Sequence, residues 1–263
     1  MKKLSITLIA SLSIFQLSTS AQLYEGFNAD ASAMNERVGF MTGWHRMAGE
    51  VSVVGESLKV PGLAQSDGAI RLEKRGEALA QISANVSGTY YGSFRFRSTR
   101  LNQDSLIALL LAGPNLEELT PKTANISILA KGWRNEHGAL LSEGKLSKTT
   151  EGAPIEEQQT YLVLFKVVDG NPNQRLIESW ILNAAQIEHF AKGAFTESEL
   201  NGARLGVEST AVMQRAQLKP KRSTRLALQA GDVIACVAKF NPETLFDEIR
   251  ISSKSLREAA GVL

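Results

Sequence analysis

Thr89-Tyr90-Tyr91-Gly92-Ser93-Phe94-Arg95-Phe96-Arg97 alternates residue by residue: Tyr90, Phe94 and Phe96 fall on one face, and Ser93, Arg95 and Arg97 on the other. That period of two marks an extended strand with one face on a core. Further along, Tyr161 to Val168 is apolar on both faces, as a central strand covered on each side would be. Asp169-Gly170-Asn171-Pro172-Asn173 then supplies strong turn chemistry, and Leu176 to Leu182 reads as the returning strand of a hairpin. Outward from this centre, strands are expected at Leu23–Asn28, Val51–Val54, Ala78–Ala84, Ser105–Leu111 and Asn125–Lys131. Others are expected at Arg204–Glu208, Arg225–Leu228, Val233–Phe240 and Leu245–Ser252. Helical signals are confined to Ala184–Lys192 and a closing turn at Ser255–Ala260. Many short strands at close spacing predict an all-β, antiparallel β-sandwich with few short helices.

The chain opens with Lys2 and Lys3, an uncharged apolar run from Leu4 to about Leu17, and the small residues Ser18-Thr19-Ser20-Ala21. This order of charged, apolar and small regions predicts a cleavable secretory leader over residues 1–21, cut near Ala21/Gln22. The apolar run is shorter than the ~20 residues a membrane helix needs, and Leu106 to Ala112 is shorter still. The expected product is therefore exported to periplasm or medium, without membrane insertion after cleavage, as a single domain over residues 22–263.

Removing the leader also changes the charge balance. Of 29 Lys and Arg, Lys2 and Lys3 leave with it, so 27 basic residues face 27 acidic ones. A balanced chain offers no electrostatic case for nucleic acid. Cys236 is the only cysteine, which excludes an intrachain disulfide, and its apolar setting predicts a buried structural thiol.

Several phrases carry a likeness. They include Leu23-Tyr24-Glu25-Gly26-Phe27-Asn28, Gly39-Phe40-Met41-Thr42-Gly43-Trp44 and Leu58-Lys59-Val60-Pro61-Gly62-Leu63. The strand from Tyr90 to Arg97, Ala130-Lys131-Gly132-Trp133, Arg204-Leu205-Gly206-Val207 and Phe246-Asp247-Glu248-Ile249-Arg250-Ile251 complete the series. In this order the chain resembles the secreted concanavalin A-like (laminin-G-like) jelly-roll proteins of environmental bacteria. The resemblance implies two antiparallel sheets packed face to face, with first and last strands as neighbours. It implies no particular reaction, because one fold hosts lectins, hydrolases, lyases and spacers. Relative to that group, the segment between Val207 and Phe246 is long.

Glycoside hydrolysis needs two carboxylates flanking the bond. The Glu-x-Asp-x-x-Glu pattern of the laminarinase-like branch is absent; Glu117-Glu118 and Glu156-Glu157 are adjacent pairs in polar loops. His45, His137 and His189 are isolated from one another, with no metal-ligand spacing. Glycan binding uses exposed rings beside planar polar groups. Trp133, Arg134, Asn135 and His137 have those ingredients after a strand and are the candidate ligand-binding residues. Trp44 reads as a plug at one end of the sandwich, and Trp180 as core. Glu25 and Asp247 each share a predicted core face with apolar neighbours. If their strands pair, the two acids meet in low dielectric and need a proton, an Arg or Lys, backbone N–H groups, or a structural calcium ion. The leading expectation is a noncatalytic module for glycan or another extracellular polymer. A polysaccharide-cleaving enzyme and a structural protein of the cell envelope stand as alternatives.

Overall fold

The structure is a computed structural model of the chain and describes residues 22–27, 37–101, 105–114, 119–121, 123–131, 138–141, 155–171, 174–193, 224–240 and 243–263. The leader, the Arg204–Glu208 strand and the Trp133–His137 segment lie outside the described residues.

The strands are β1 (Gln22–Glu25), β2 (Arg37–Val38), β3 (His45–Val54), β4 (Ala69–Gln81), β5 (Thr89–Ser98) and β6 (Leu106–Ala112). They continue as β7 (Ile126–Lys131), β8 (Gly138–Leu141), β9 (Thr160–Val168), β10 (Leu176–Leu182), β11 (Val233–Lys239) and β12 (Glu243–Ser252). Two short helices, α1 (Ala184–Ala191) and α2 (Leu256–Ala259), complete the described residues. All pairings are antiparallel, in the order β10-β9-β5-β12-β4-β11-β6-β7-β8, with β3 on β4 and β1 on β12. The ends of this order meet, β8 lying against β10. The network thus folds over on itself as a jelly-roll sandwich, and its first and last strands are neighbours.

One apolar cluster fills the interior. Tyr90, Phe94 and Phe96 of β5 and Val163, Phe165 and Val167 of β9 join Leu109 and Leu111 of β6 with Ile234 and Cys236 of β11. The expected β9–β10 hairpin forms in register, Val168 opposite Leu176. Both faces of β9 are covered: Leu162 and Leu164 pack outward with Trp180, Leu182, Ile187 and Phe190 beneath α1. On the opposite side, Ala108, Leu110, Ala235 and Val237 form a third buried apolar layer.

Four expectations are corrected. Segment Arg225–Leu228 forms no strand, only a bridge from Leu228 to Val86. Strand β3 begins at His45 rather than Val51, and β4 at Ala69 rather than Ala78. The outer face of β5 is not solvated, since Ser93 and Arg95 are buried.

Strand β4 is the corner of the fold. Ile70 to Glu73 pair with β12, whereas Glu77 to Gln81 pair with β11. Between them Lys74 and Arg75 take left-handed φ of 51° and 68°, which bends the strand from one sheet into the other. Opposite the bend, Gly49 has φ +62°, and a Cβ there would lie 2.5 Å from Glu73 O and 2.7 Å from Gly76 N. Those contacts are with backbone, which cannot swing aside. Gly49→Ala is expected to cost about 2 kcal/mol, from left-handed strain plus crowding. Urea unfolding of the variant measures it, and an unchanged midpoint would contradict the bend's dependence on glycine.

Candidate functional site

The two acids singled out from sequence point to opposite sides of the sheet. Strand β1 runs beside β12 with Leu23 opposite Ile251 and Glu25 opposite Ile249. Glu25 turns inward beside Phe27, where its Oε2 accepts from Trp44 Nε1 at 2.9 Å and its Oε1 from Phe27 N at 3.3 Å. Trp44 packs on Phe27 and Phe40 and closes this end of the core, as expected of a plug.

Asp247 does not share that face. The β12–β5 register shifts between Asp247 and Arg250, and Glu248 sits at φ +52°. This bulge reverses the alternation: Phe246, Ile249 and Ile251 face the interior, while Leu245 packs outward with Leu58 and Ala69. Asp247 follows Leu245 outward, beneath the connection between β3 and β4, residues 55–68, called the strap below. Its Oδ2 accepts from Leu58 N at 2.8 Å and Ser57 Oγ at 3.0 Å; its Oδ1 accepts from Glu248 N at 2.7 Å and lies 2.7 Å from Ser66 Oγ. Its cross-strand neighbour Arg95 donates to Leu58 O at 3.1 Å and Ala64 O at 2.6 Å. Glu248 is neutralised by Arg250, whose guanidinium lies 3.9 Å from the Tyr24 ring centroid.

Glu25 and Asp247 therefore do not form the joint site on which a calcium reading would stand. No group of three potential metal-ligating side chains converges among the described residues. Each acid is instead met by N–H and O–H donors from its own side of the sheet.

Burial raises the Asp247 carboxyl to about 6, against hydrogen bonds from Ser66, Leu58 N and Ser57 that act in the opposite sense. Geometry accommodates the proton. Ser66 Oγ lies 3.0 Å from Gly68 O as well as 2.7 Å from Asp247 Oδ1, yet it has one hydrogen for two acceptors. A protonated Asp247 donates to Ser66, which then donates to Gly68 O. A carboxyl whose folded value exceeds its ordinary 3.8 stabilises the fold fully below that value, and the contribution is lost as pH rises through about 6. Relative to the non-titrating Asp247→Asn, the protein is expected to lose about 3 kcal/mol of stability over this window. Urea unfolding across the pH series tests it, and parallel curves for the two proteins would refute it.

Trp180 is core as expected, at 0% exposure. Trp133, Arg134, Asn135 and His137 fall in the connection between β7 and β8, whose paired ends are Leu129 and Gly138; they lie outside the described residues. His45 and His189 are exposed on β3 and α1, far apart in the chain order. Cys236 faces the interior, and burial raises its thiol well above the usual range, with Glu25 adding in the same direction. Sequence reading missed Ser57, Ser66 and Arg95 as partners of Asp247. The available signal was Arg95 itself, a cation within a strand of aromatic residues.

No family model matches the chain, and no curated protein matches it. Solved structures do. Domain 4 of AbnA, an extracellular arabinanase from Geobacillus stearothermophilus solved with arabinotriose, superposes with TM-score 0.51 at 15% identity, covering 92% of this chain and 97% of that one. Lectin I-B4 from Griffonia simplicifolia gives TM-score 0.47 at 10% identity, covering 90% and 100%. An endo-β-1,4-glucuronan lyase from the fungus Trichoderma reesei gives 0.44 at 8%, covering 88% and 94%. At these identities the likeness is one of fold alone, an antiparallel β-sandwich.

Proposed function

We propose that this chain is an exported, noncatalytic β-sandwich module that binds glycan or another extracellular polymer, with Trp133, Arg134, Asn135 and His137 as contact residues. The observation that carries the noncatalytic reading is how four of the five buried acids among the described residues are used. Glu25 is held by Trp44 and Phe27 N, Asp232 by Arg225 and Gln229 N, Asp247 by the strap, and Glu248 by Arg250. A hydrolase needs two carboxylates free to face the scissile bond, and these four are turned to internal donors. Support for a sugar ligand comes from the fold shared with a domain solved with arabinotriose. No helix among the described residues is long and apolar enough to cross a membrane.

Expression with the leader intact should yield a protein whose N-terminal sequence starts near Gln22; an uncut chain would refute export by cleavage. The protein starting there should be retained on at least one member of a polysaccharide panel without releasing reducing or unsaturated ends. Trp133→Ala is expected to weaken retention about tenfold, in line with the loss of one stacked ring. Failure on the whole panel would remove the binding reading, and release of chain ends would replace it with the enzymatic one.

A further inference from the structure

The strap that Asp247 holds is also one wall of a groove of about 700 Å³, which runs between the strap, the start of β9 and the first turns of α1. We infer that this groove, lined by residues other than Trp133, Arg134, Asn135 and His137, is a carbohydrate subsite that takes a short neutral oligosaccharide; the inference rests on the glycan-binding reading above.

Three features of the groove support it. First, its volume lies in the range of small-molecule sites and suits a few sugar rings. Second, its surface is amphipathic in the way a sugar requires. Pro61 on the strap and Ala184 and Ala185 at the start of α1 offer exposed aliphatic surface, backed by Val60 and Ile187, which are buried in the same apolar cluster as Trp180. Around this surface stand Lys59, Gln159, Thr160 and Glu188, an ammonium, an amide, a hydroxyl and a carboxylate. Sugar C–H faces pack on the first set and hydroxyls bond to the second. The lining carries one charge of each sign, Lys59 on the strap and Glu188, which pairs with Lys192, on α1, and this balance gives a polyanion no run of cations to bind.

Third, the walls are fixed before any ligand arrives, which lowers the ordering cost of binding. Asp247 and Arg95 grip the strap backbone at Leu58 and Ala64. On the other wall, Asn183 and Gln186 form a reciprocal capping box at the start of α1. Arg257 closes its far end by donating to Phe190 O at 2.7 Å. Strap and helix touch where Gly62, at φ +80°, approaches Ala191 so closely that a Cβ would sit 2.9 Å from it.

The test is a titration of the isotope-labelled protein with arabinotriose, cellotriose and trigalacturonate, followed through backbone amide shifts. A neutral trisaccharide should move Lys59, Thr160, Ala184 and Ala185. Ala185→Trp places a ring in the groove from an exposed helix position, and Gln159→Ala with Glu188→Ala strips exposed rim groups. Either change should lower affinity at least about tenfold, while Trp133→Ala leaves the groove shifts in place. Retention lost in Trp133→Ala and unchanged in Ala185→Trp would overturn the groove and leave the proposed function standing. Binding of trigalacturonate alone would overturn the neutral class. With no shifts and no retention on any polysaccharide, both readings fall.

Discussion

Asp247→Ala is expected to destabilise the protein by about 4 kcal/mol at neutral pH, the largest effect of any single substitution considered. The residue is fully buried, and four donors converge on its two oxygens. Ser66 can turn to Gly68 O and Ser57 can rotate, so the hydroxyls cost little. Leu58 N and Glu248 N have no such freedom, and each unmet buried N–H costs roughly 1–3 kcal/mol. Arg95 also loses a neighbouring anion in a site where burial already disfavours its charge. Asn does not restore the site, because each Asp247 oxygen accepts from a backbone N–H and one of them would then meet an NH₂ group. Urea unfolding gives the magnitude. Hydrogen exchange gives the location, with protection lost first at Leu58 and across the strap. A small loss of stability with the strap amides still protected would show that the strap does not depend on Asp247.

Gly92→Ala should cost about 3 kcal/mol and lower the melting temperature by roughly 10 °C, given the size of the domain. Gly92 lies on the interior face of β5 opposite Phe165, and a Cβ there would fall 2.0 Å from Phe165 Cζ and 2.5 Å from both Cε atoms. Nor can the ring swing away, because Phe165 is itself 0% exposed and enclosed by the central cluster. The absent side chain is thus the space the ring occupies. Phe165→Leu in the same chain should recover part of the loss. The two changes together are expected to cost at least about 1 kcal/mol less than their sum, as for residues in contact. Strict additivity in thermal unfolding would contradict the packing described.

How far the residues announced these arrangements varies with how local the cause is. Strands β5, β9, β10 and β11 were legible because alternation and turn residues sit within the segments themselves. The first half of β4 was not, since Glu73-Lys74-Arg75-Gly76 has the composition of a turn. It is held as a strand by β3 on one side and by β12 and then β11 on the other. The burial of Arg95 was hidden for a related reason. Its alternation with Phe94 and Phe96 places it on the second face of β5, and the strap over Arg95 and α2 over Ser93, both remote in sequence, remove that face from water.

Asp247 shows the same division most sharply. A period of two carried through the final strand aligns Asp247 with Ile249 and Ile251. The bulge at Glu248 separates them, and nothing in a lone Glu announces a left-handed backbone.

What the sequence by itself determined is what backbone geometry and composition dictate over a few residues. It specified an antiparallel sandwich with the correct inner face on β5, a β9 covered on both faces, a first strand beside the last through the family likeness, and a lone cysteine in apolar surroundings. The tertiary structure decided where the buried acids turn, which segment covers the outer face of β5, and that strap and α1 enclose a groove. The reason is physical: a buried carboxylate takes its direction from the donors that satisfy it. For Asp247 two of those donors, Ser57 and Ser66, stand 190 and 181 residues away along the chain, where no periodicity reaches.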